Sequence, residues 1–99
     1  MSNGSESKKD GPAYSGGDGR TPETAVVIED VSSHVGGIQA EKAYISRQLE
    51  ESQLEWDLLE QALLEREDGT RIDRLTVEQS TGKTETFYFD VSNFFGMDA

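Results

Sequence analysis

The chain has 99 residues, and twenty Asp and Glu against nine Lys and Arg give it a formal net charge of −11. That length allows one ordinary domain, not two cores and an elaborate active site. The charge disfavours a nucleic-acid or anionic-membrane partner; the lack of cysteine excludes disulfides, thiolate metal sites and a Cys nucleophile, and fits a reducing cytoplasm.

Residues 1–22 hold five of the ten glycines and both prolines, with only Met1, Ala13 and Tyr14 as apolar or aromatic side chains. Such a composition cannot offset the entropy of ordering, so it predicts a disordered tail at 1–22 ahead of a single small domain at 23–99. Three basic and three acidic residues cancel within that segment, which leaves the whole excess of negative charge to 23–99. The opening MSNGSESKKD lacks the apolar stretch of a signal peptide, and no apolar run approaches a membrane span. A cytoplasmic protein without a membrane partner is the expectation.

Ala25–Ile28 is a short β-branched run closed by Glu29-Asp30, which predicts a buried strand. Ser32–Gly37, with its glycine pair, predicts a loop. From Ile38 the period changes. Ile38, Ala43, Tyr44, Ile45 and Leu49, set against Glu41, Lys42, Arg47 and Glu50, predict an amphipathic helix over 38–51.

Gln53–Asp68 supports two readings. Its Leu, Glu, Gln and Ala are good helix formers, and Ile45, Leu49, Ser52, Trp56, Leu59 and Leu63 follow the spacing of a coiled-coil seam. Against that, Trp56, Leu58, Ala62 and Leu64 alternate as in a strand, and Asp68-Gly69 is a hairpin signal. Glu51 and Glu55 also repel at i, i+4. A strand at 54–66 is the reading adopted. Arg71–Val77 and Thr84–Phe89 then form an antiparallel hairpin around Ser80–Lys83, and Asp90–Asn93 turns toward Phe94-Phe95. The expected fold is α+β, one amphipathic helix packed on a small antiparallel sheet of three or four strands in the order β-α-β-β-β. The alternative is one long helix at 38–67 plus a C-terminal hairpin.

Candidate chemistry is sparse. His34 is the one side chain titrating near neutrality, yet adjacent serines do not make a nucleophile geometry and no nucleophile-elbow motif is present. Gly36-Gly37 lacks the further residues of a phosphate loop, and Glu65, Glu67 and Asp68 lack the alternation of a calcium loop. The expectation is therefore no enzyme, no cofactor and no metal. Five of the eight aromatics, Phe87, Tyr88, Phe89, Phe94 and Phe95, fall within nine residues. Tyr88, Phe94, Phe95 and Trp56 are the candidate partner-binding residues, closure of the core being the competing role for these rings. The sequence thus points to a non-catalytic protein–protein interaction module, binding another protein or a second copy through a sheet edge and the C-terminal aromatics. The alternative is an acidic decoy or inhibitor, of immunity type or mimicking a nucleic acid, that occupies a basic cleft.

Overall fold

A computed structural model describes residues 12–95. Among the described residues the strands are β1 (Ala13–Gly16), β2 (Val26–Glu29), β3 (Asp57–Glu65), β4 (Arg71–Glu78) and β5 (Thr84–Asp90), with one helix, α1 (His34–Leu49). A 3-10 turn, Pro22–Thr24, precedes β2. The α+β class stands as expected, but the sheet has five strands, ordered β1-β2-β5-β4-β3, and it is mixed because β2 runs parallel to β5.

Within the segment expected as a tail, 1–22, Ala13–Gly16 pairs with Val26–Glu29 as a hairpin; residues 1–11 lie outside the described part. Tyr14 anchors β1 by donating its hydroxyl hydrogen to the Ala40 carbonyl at 2.8 Å, and its ring packs on Tyr44. One tertiary anchor rescues a strand whose Gly-rich surroundings argue against it. The sheet is also not purely antiparallel. The helix carries the chain across the sheet, so β5 returns beside β2 in parallel register, Val26 opposite Phe89.

The helix starts four residues earlier than expected. The Ser33 hydroxyl caps it by accepting from the Gly36 N–H at 3.0 Å, and His34 falls in the first turn rather than in a loop. Gly37 serves close approach: a Cβ there would overlap the Phe94 ring. At the other end Glu50 takes φ +58°, and the N–H groups of Glu50 and Glu51 return to Arg47 and Ser46. The backbone of Ser52 then donates to the Glu55 carboxylate at 2.7 Å, and the Trp56 indole donates to Ser46 Oγ at 2.9 Å. These contacts turn the chain by Trp56 and rule out the helix over 38–67.

The core lies between α1 and one sheet face. Val26 and Ile28, Leu75 and Val77, and Phe87 and Phe89 project there, meeting Ala40 and Ile45 from the helix and Trp56, Val91 and Phe94 from the connections. Partners across an antiparallel pair share a face, so the register Leu58–Val77, Gln61–Leu75 and Leu63–Asp73 puts Leu58, Gln61 and Leu63 on the helix side of β3. A helix is ~10 Å wide and strands are ~4.8 Å apart, so one helix covers two or three strands of five. The strand left uncovered on that side is β3.

Candidate functional site

The edge strand β3 is nine residues long and strongly apolar at its surface. Leu58, Leu59 and Leu63 remain 40%, 53% and 42% exposed, although a bulge interrupts the pairing between Leu58 and Glu60. Free strand edges are ordinarily blunted by short length, Pro, bulges or charged side chains, Lys above all. Residues 57–65 have the bulge and three acids, but no Lys, Arg or Pro. The opposite edge, β1, has four residues.

Beside β3, between its helix-facing side and the first turns of α1, lies a cavity of about 310 Å³. Ile38, Leu63, Phe94 and Phe95 wall it, and His34, Gln61 and Asp73 complete its lining. The His34 ring stands edge-on to both Phe94 and Phe95, with centroids 5.9 and 6.1 Å away, and its buried Nδ1 has no hydrogen-bond partner among the described residues. Asp73 is only 7% exposed and accepts from Gln61 Nε2 at 2.8 Å. Behind it, Glu41 on α1 is wholly buried, and neither carboxyl oxygen has a partner among the described residues. Burial, and then the neighbouring carboxyl of Asp73, push the Glu41 pKa up to about 10, so this side chain is a neutral acid at pH 7.

The four rings singled out by sequence occupy different environments. Trp56 and Phe94 are buried in the core. Tyr88 is half-buried on the sheet face away from the helix, opposite Arg74. Phe95 is 38% exposed at the cavity rim, with the Arg71 guanidinium 4.8 Å over its ring. The structure therefore joins Phe95 to His34 and to β3, and separates it from Tyr88. Sequence reasoning placed Leu59 and Leu63 only on the seam of the alternative long helix, and missed Leu58 as a surface residue and Glu41 and Asp73 as interior groups. The leucines had a visible signal, because Leu59 and Leu63 are surplus to the alternation of a strand with one buried face. The acids had none, since their depth depends on which strand lies beneath the helix.

Among the described residues no three His, Asp or Glu side chains gather where they could hold a metal ion, and no helix is long and apolar enough to cross a membrane. What the fold and this region define is a small α+β protein with one helix on a mixed sheet and an open apolar edge. Comparisons with family models, with curated proteins and with solved structures find no match.

Proposed function

We propose that this protein is a non-catalytic protein-binding module of the cytoplasm, and that β3 takes an extended segment of another protein as a sixth strand. The observation that carries this reading is the nine-residue edge with Leu58, Leu59 and Leu63 at its surface. Strand addition supplies main-chain hydrogen bonds, and side chains of the added strand alternate onto the two faces. On the helix side they meet Leu58, Leu63 and Phe95; on the other they meet Glu60, Ala62 and Leu64.

Charge selects the partner. A second copy pairing antiparallel about Gln61 sets Asp57 against Glu65 of its twin, and β3 carries three acids without a base. A strand that mixes aliphatic and basic residues relieves that repulsion.

The test is photo-crosslinking in cell extract from a crosslinker installed at Leu59 or Leu63, with a control at Thr81. An adduct with one other protein, mapped to one short segment and abolished by Leu59→Lys with Leu63→Lys at unchanged melting temperature, supports the reading. An adduct of twice the protein's own mass overturns it in favour of self-association. An adduct equally strong from Thr81, or insensitive to the substitutions, removes β3 from the interface. Loss of binding at raised salt with the leucine variants unaffected favours the acidic decoy instead.

A further inference from the structure

We propose that the cavity between α1 and β3 is a binding site for an organic cation, an alkylammonium or alkylguanidinium group, with Asp73 as its counter-ion and Phe94, Phe95, Ile38 and Leu63 as its apolar walls. Three carboxylates of the sheet meet cations: Glu65 meets Arg71 at 3.1 Å, Glu60 meets Arg74 at 3.7 Å, and Glu85 meets Arg20 at 2.9 Å. Asp73, which lies beside the neutral Glu41, has no Lys, Arg or His within ion-pair distance among the described residues. Buried carboxylates are ordinarily paired with a cation or fully hydrogen-bonded. Asp73 accepts from Gln61 and stands against the neutral carboxyl of Glu41, neither of which is a cation, and it lines the cavity.

The walls suit the same chemistry. Aromatic faces attract cations, and at the rim Phe95 already takes the guanidinium of Arg71 on one face. Arg71 itself is two residues from Asp73 along β4, but it is held by Glu65 and Phe95 rather than by Asp73. At about 310 Å³ the space is at the lower end of ligand-pocket sizes, ~300 Å³, right for a side-chain-sized group.

The inference does not depend on strand addition at β3, and its test needs no partner. Amide chemical shifts of the full-length protein are followed on titration with n-butylguanidinium, with n-butylammonium and, as the neutral match, with n-butanol. Saturable shifts at His34, Ile38, Leu63 and Asp73 with either cation, at least about tenfold weaker with butanol, are expected. Asp73→Asn, nearly isosteric, should lower cation affinity at least about tenfold while leaving butanol unaffected; Phe95→Ala, at the exposed rim, should weaken it without unfolding the chain. A capped Ala-Arg-Ala peptide distinguishes the source: binding at least as tight as butylguanidinium assigns the site to a protein side chain, and exclusion of the peptide assigns it to a small free cation. Equal response to butanol, or cation binding untouched by Asp73→Asn, overturns the proposal.

Discussion

Glu41 is a helix residue whose carboxyl reaches the interior, and its raised pKa links folding to pH. The unfolded side chain releases its proton above about 4.5, whereas the folded one keeps it to about 10. Folding in that window takes up a proton, so the stability contributed by Glu41 is full below the lower value and is lost as pH rises toward the upper one. The slope is at most about 1.4 kcal/mol per pH unit for one group. Glu41→Gln, which keeps the shape and cannot ionise, should flatten the fall of melting temperature between about pH 6 and about pH 9 and raise stability at the alkaline end. Parallel curves for the two proteins would mean that Glu41 titrates normally. At the acid end the signs reverse for exposed Asp18 and Asp68, held below the usual carboxylate range by the Arg20 N–H and by Thr70 respectively. Their contribution is present above their unfolded pKa and lost as pH falls through the folded one. The adjacent phenylalanines separate core from surface. Phe94→Ala should cost ~3–5 kcal/mol, most of the stability of a domain this size, and Phe95→Ala well under half of that. Chemical denaturation of the two variants decides it; equal losses would place both rings in the core.

At the scale of elements, the helix end and the third strand depend on each other. Glu50 holds a left-handed conformation that glycine adopts without strain. Glu50→Gly should therefore be neutral or stabilising by up to about 1 kcal/mol, whereas the same change at solvent-facing Gln48, inside the helix, should cost about 1 kcal/mol. Urea midpoints of the two variants test this, and a destabilising Glu50→Gly would mean that the cap is not left-handed in solution. The strand at 54–66 and the hairpin of β4 and β5 were legible from alternation and from the Asp68-Gly69 turn, and β3 spans Asp57–Glu65. The helix boundaries were less so. Ser33 and the Ser52–Glu55 pair carried the capping pattern in plain view, yet Gly36-Gly37 argued for a loop, and only the ring of Phe94 against Gly37 explains why glycine belongs inside this helix.

For the molecule as a whole, the segment from Pro12 to Pro22 carries real packing despite its composition. Beyond the β1 pairing, the Gly19 carbonyl accepts from the Tyr88 N–H at 2.8 Å, and Arg20 reaches Glu85 and the Phe87 ring. A truncation starting at Glu23 should therefore melt several degrees below the full chain, as loss of ~1–2 kcal/mol does in a domain of this size. An unchanged melting temperature would return the segment to the status of a tail. The sequence by itself determined the class and the local elements: one helix, a C-terminal meander and an acidic surface, because periodicity, turn chemistry and charge are written in consecutive residues. Only the tertiary structure decided that β1 closes the sheet and that β2 lies parallel to β5. It also decided that Phe94 is inside while Phe95 is at the rim, and that Glu41 and Asp73 meet beneath the helix. Each of these is set by residues distant in the chain, and by one helix being too narrow to cover five strands, a mismatch that exists only once the sheet is assembled.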